Sequence, residues 1–144
     1  MNEVNRRGRS PKKRLLSKMK AIKQTYLINS TVEKVWDALV NPKVIEKWSG
    51  VPAKMDDKVG TKFELWGGDM HGTNTKVVKN KLLEQDWYGG DWDKPSKVRF
   101  ELSVKNNQTE VTLTHSGVPE EEVNDFADGW KRYYLGEIKK LLEK

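Results

Sequence analysis

At 144 residues, with 35% hydrophobic and 33% charged side chains, the chain is sized for one globular domain with a polar surface. It has no cysteine, which excludes disulfides, thiolate metal sites and a cysteine nucleophile and fits a reducing compartment such as the cytoplasm. The formal charge of +6 is concentrated at one end: residues 1–20 hold eight Lys/Arg against one acid, a net of +7, while the other 124 hold 19 Lys/Arg against 20 acids, a net of −1.

Residues 1–18 therefore read as a disordered basic arm with little to bury, and residues 19–144 as the domain. The arm reads first as an extension that the fold does not need. A contact with nucleic acid or anionic lipid, a nuclear address and a mitochondrial presequence are the alternatives. The near-neutral domain carries no built-in field for nucleic acid. No run of 18 apolar residues predicts a membrane span, and no apolar N-terminal segment predicts a secretory signal.

The periodicity gives the elements in order. Residues 21–29 alternate as a strand. Ser30 precedes Glu33 at capping-box spacing, and Val32, Val35, Trp36 and Leu39 form the stripe of a short helix over 31–40. Asn41-Pro42 stops that helix and starts another over 42–48. Beyond Gly50 the period changes to two. Strands are predicted at 61–66, 70–79, 81–88, 96–105 and 109–116, separated by hairpin-type punctuation such as Gly67-Gly68-Asp69, Gly89-Gly90-Asp91 and Asn106-Asn107. From Pro119 to Glu143 no proline interrupts, and Phe126, Trp130, Tyr134, Ile138 and Leu141 recur every three or four residues. One long helix of about 37 Å is expected there. Its aromatic face is too apolar for water and must lie on the sheet. The expected architecture is α+β: two short helices after the first strand, and a curved antiparallel sheet of six or seven strands wrapped on a long C-terminal helix.

This order and several motifs resemble the helix-grip fold of the START-like (SRPBCC) superfamily, and within it the activator-of-heat-shock-protein-90-ATPase homologue family. The residues that carry the resemblance are Val35-Trp36-Asp37-Ala38-Leu39 with Asn41-Pro42, Ile45-Glu46-Lys47-Trp48, and Gly60-Thr61-Lys62-Phe63. They continue with Thr109 through Gly117 and with Gly129-Trp130 before the last helix. The resemblance covers residues 21–144. It implies a seven-stranded sheet around the helix, often with an apolar cavity, and relatives that bind lipids, sterols or hormones, cyclise polyketides or assist the chaperone.

Trp130 and Tyr134 are expected to form one wall of such a cavity, and Phe63, Leu65, Phe100 and Trp87 the other, with His71, Thr73 and His115 as polar contacts. His115 falls by alternation on the apolar face. It reads first as a hydrogen-bonded support of the turn into the helix, with a ligand hook or pocket acid–base group as the alternative. His71 and Thr73 read as a solvated strand face or as polar grips on the cavity. Asp86, Asp91 and Asp93 crowd near Trp87, Tyr88 and Trp92, as turn chemistry with rings packed on the sheet, or as a loop that gates the cavity or grips a partner. Two histidines without metal-ligand spacing make a metal site unexpected, and neither a cofactor nor a catalytic pair is expected. The functional expectation is a monomer or weak dimer that binds a small hydrophobic or amphipathic molecule. A chaperone-associated interaction protein is the first alternative, and a polyketide-cyclase-like enzyme the second.

Overall fold

In the computed structural model, residues 18–89 and 92–144 are described. The expectation for residues 1–17 and for Gly90-Asp91 lies outside them. Six antiparallel strands form one sheet: β1 (Met19–Ile28), β2 (Lys62–Leu65), β3 (Met70–Val78), β4 (Leu82–Gly89), β5 (Ser96–Lys105) and β6 (Gln108–Pro119). Their spatial order is β1-β6-β5-β4-β3-β2, so every sequential hairpin from β2 to β6 is paired and β1 closes against β6. A single bridge between Lys54 and Glu64 stands where a further strand would be. Among the described residues no helix is long and apolar enough to cross a membrane.

The two short helices, α1 (Val32–Val40) and α2 (Pro42–Ser49), follow β1 as expected. The cap of α1 differs from the sequence reading by one residue. Thr31, not Ser30, accepts from the Lys34 amide at 3.3 Å, because Ser30 is held in the preceding turn with its carbonyl taken by the Thr109 hydroxyl at 2.8 Å. Asn41 caps α2 by accepting from Lys43 N–H at 2.9 Å, with Pro42 in the first turn.

Strand β6 continues three residues beyond the predicted end, to Pro119. Ile22 pairs with His115 but Lys20 pairs with Val118, so β6 carries one extra residue there. Gly117, at φ 75°, supplies the left-handed conformation that such a bulge uses.

The C-terminal segment is likewise not one regular helix. A 3-10 turn (Glu120–Glu122) leads into α3 (Val123–Gly129), a π-turn (Trp130–Tyr134) and α4 (Leu135–Leu142). In the π-turn the Leu135 amide bonds back five residues to the Trp130 carbonyl. The extra residue lets two successive side chains, Tyr134 and Leu135, both reach the interior, where neither is more than 2% exposed. Gly136 permits this: a Cβ there would lie 1.8 Å from the Lys131 carbonyl oxygen.

The helical segment lies across the inner face of the sheet. The core comprises the inward rows of the strands, including Leu83, Val98, Phe100, Val111 and Leu113, against Trp130, Tyr134, Leu135 and Ile138. Helices α1 and α2 plug one side with Trp36, Leu39, Ile45 and Trp48.

Candidate functional site

Where α3 and the π-turn cross the β2–β3 end of the sheet, the packing is incomplete. A cavity of about 420 Å³ remains there, open to the surface on one side. Its floor is the buried trio Trp87, Trp130 and Tyr134. Its rim is Trp66, Met70, Asp125, Phe126 and Tyr133, and Gly129 contributes backbone alone. The size falls in the range of small-molecule sites.

Each wall is placed by a local feature. Met70 sits opposite Leu65 in the β2–β3 pairing, so it faces inward. Trp66 begins the turn Trp66–Gly68 at φ 50°, a backbone region that bulky residues rarely occupy. Its ring meets Trp48 at 6.3 Å and Tyr134 at 6.0 Å, both edge-on. Below the cavity the rings are packed closely: Trp87 to Trp130 at 4.9 Å, Trp130 to Tyr134 at 4.7 Å, and Phe100 to both helix rings at 5.6 and 5.8 Å.

The indole N–H groups of the floor are already engaged. Trp130 Nε1–H donates to His115 Nδ1 at 3.0 Å. The imidazole proton therefore sits on Nε2, 2.8 Å from Ser96 Oγ, and that hydroxyl turns toward the Trp87 carbonyl at 3.4 Å. Trp87 Nε1–H donates to Gln85 Oε1 at 2.8 Å, Gln85 donates to Asn74 Oδ1 at 2.9 Å, and Asn74 donates to the carbonyls of Asp56 and Lys58. These relays tie the floor to the sheet and to the loop before β2. They leave the cavity with little polar surface of its own. The Tyr134 hydroxyl is buried without a hydrogen-bond partner, and burial holds it protonated well above the ordinary phenol range.

The sequence-expected residues are thus divided. Trp87, Trp130 and Tyr134 form the floor. Phe63, Leu65 and Phe100 are buried behind it, Phe63 tilted against Trp87 at 6.2 Å. His115 is fully buried on the inner face and supports Trp130, the structural role read from its position, rather than lining the cavity. His71 and Thr73 are not polar contacts of this cavity. Register places them on the outer face, opposite Glu64 and Lys62, where His71 stacks flat on Tyr88 at 5.5 Å beside a separate surface hollow. Trp66, Met70, Asp125 and Tyr133 were not singled out from sequence. The one available signal was Met70, which follows the Gly-Gly-Asp turn at the first inward position of β3.

The sheet gripping a long C-terminal helical segment, with two short helices after β1, defines a helix-grip α+β domain of the START-like class. The chain belongs to the family described as Activator of Hsp90 ATPase homolog 1-like protein, whose profile matches residues 29–143. It is 28% identical over 125 residues to the activator of 90 kDa heat shock protein ATPase homolog 2 of Mus musculus, covering 85% of this chain and 38% of that protein. It is 26% identical over 120 residues to homolog 1 of Homo sapiens, covering 82% and 35%. The chain therefore spans little more than a third of these curated relatives. Among solved structures, an HSP90 activator from Plasmodium falciparum superposes with a TM-score of 0.79 at 28% identity, over 85% of this chain and 96% of that one.

Proposed function

We propose that the domain binds a small apolar or amphipathic molecule in the cavity between the sheet and the C-terminal helical segment. The observation that carries this reading is the open space itself: about 420 Å³ floored by buried rings whose N–H groups are already satisfied within the protein. Filling it would remove the rim rings Trp66 and Phe126 from water, and the floor adds little polar cost because its N–H groups are already bonded. The lining holds a single carboxylate, Asp125, and no histidine, which favours binding over acid–base chemistry. The test is thermal shift of the full chain against fatty acids, sterols, flavonoids and polyketide-like aromatics. Stabilisation by several degrees with one class is the expected result. A flat response from a well-folded protein removes the reading.

A second reading rests on the family match. Relatives carrying this domain are named as activators of the heat-shock-protein-90 ATPase, and we propose that this chain contacts the same class of chaperone. Tyr133, 61% exposed beside the cavity, belongs to the kind of residue that anchors protein interfaces. Co-sedimentation with purified chaperone, and its ATPase rate with and without the chain, test this. No complex and no rate change at high chain concentration would remove it. We further propose a cytoplasmic location, with which the cysteine-free sequence is compatible.

A further inference from the structure

We propose that the molecule taken by the cavity is an amphipathic organic cation, seated tail-first on the ring floor with its ammonium group at the rim. The inference rests on the ligand-binding reading above and adds the charge of the ligand to it. Six of the nine residues around the cavity carry aromatic rings, and the only charged side chain among them is the carboxylate of Asp125. The faces of such rings attract a desolvated ammonium, indoles most strongly.

The charges nearby agree. Residues 120–130 contain Glu120, Glu121, Glu122, Asp125 and Asp128 and no lysine or arginine. Lys131 and Arg132 come next; neither lines the cavity, and Arg132 is held by Asp128 at 3.0 Å. Asp125 has no ion-pair or hydrogen-bond partner among the described residues, although it stands in the first turn of α3 at the cavity mouth. A carboxylate ligand would find no cation among the described residues that line the cavity and would meet Asp125. A neutral ligand would gain the floor alone. A cation gains the floor, the rim rings and Asp125 together.

The division between floor and rim sets the orientation. Trp87, Trp130 and Tyr134 are buried and suit an alkyl or aryl tail, whereas Asp125 and Tyr133 are exposed and suit a head group that stays half in water.

The test uses three probes with one ten-carbon tail: decyltrimethylammonium, 1-decanol and decanoate. Each is titrated below its micelle-forming concentration into the full chain and into Asp125→Asn, with binding read by tryptophan fluorescence. In the wild type the ammonium binds about tenfold more tightly than the alcohol, and decanoate binds weakest. In Asp125→Asn the advantage of the ammonium over the alcohol falls to less than about threefold, while the affinity for the alcohol is unchanged. Near-UV circular dichroism of the variant should match the wild type, since Asp125 is exposed. Decanoate binding as tightly as the ammonium, or an ammonium-to-alcohol ratio untouched by Asp125→Asn, overturns the charge assignment and leaves the ligand reading standing. Failure of all three probes to bind removes both.

Discussion

Replacing Trp130 with Phe isolates the contact between the last helix and the sheet. The indole is 3% exposed, and its N–H is the donor to His115 Nδ1. Phenylalanine keeps a ring in place but leaves that nitrogen buried without a donor, which costs about 1–3 kcal/mol. The void left by the lost half of the indole adds about 1 kcal/mol, a fraction of the roughly 3–5 kcal/mol expected for truncation to alanine. The sum is about 2–4 kcal/mol, or a melting temperature lower by roughly 4–16 °C for a domain of this size. Urea denaturation with an unchanged slope is the assay. A double-mutant cycle with His115→Leu gives the pairwise contribution, which should be about 1–3 kcal/mol. A cost below about 1 kcal/mol for Trp130→Phe, with no coupling to position 115, would refute the hydrogen bond and with it the placement of the helix.

Three further outcomes follow from local geometry. Gly136→Ala drives a Cβ to within 1.8 Å of the Lys131 carbonyl and should destabilise by more than about 2 kcal/mol, whereas Gly129→Ala meets nothing within 4 Å and should stabilise by about 0.5–1 kcal/mol; thermal melts of the two variants give the comparison. Tyr134→Phe removes a buried hydroxyl without a partner, so it should cost little at neutral pH. Because burial raises the folded-state pKa of Tyr134, its contribution is complete below the unfolded phenol value and is lost as the unfolded chain ionises above about pH 10, so the wild type should fall behind the variant by up to about 1.4 kcal/mol per pH unit in alkaline unfolding. Glu143 accepts from the Asn29 amide and the Lys139 ammonium, both at 2.8 Å, which lowers its pKa; its contribution is present above the unfolded carboxyl value and lost as pH falls below about 4, so Glu143→Gln should cost about 0.5–1 kcal/mol at pH 7 and nothing near pH 2.

The strands were legible because one face of the sheet is wet, so Val98, Phe100 and Leu102 alternate with Lys97, Arg99 and Glu101 in a pattern that admits one register. The site was less legible, and β3 shows why. Its inward row is Met70, Gly72 and Asn74: one residue without a side chain and one buried amide, so the row that faces the core carries almost no hydrophobic signal. His71 and Thr73 could then be assigned to the cavity, although the Leu65–Met70 pairing across the turn places them outside. A Thr75 bulge between Asn74 and Lys76 shifts the phase again further along. The π-turn was illegible for a different reason. A ring every third or fourth residue is compatible with an unbroken helix, and the residue that permits the irregular turn is a glycine, which carries no periodicity.

The same argument accounts for the cavity. Gly129 presents no side chain on the helix face that lines the cavity, and a Cβ there would meet nothing within 4 Å. That missing side chain leaves space that rings of fixed shape do not close, because Trp87 and Trp130 are each held by a hydrogen bond from the indole nitrogen. A space bounded by rings that are free to turn would collapse. One bounded by rings pinned to Gln85 and His115 persists without a ligand, which is the property a preformed site requires.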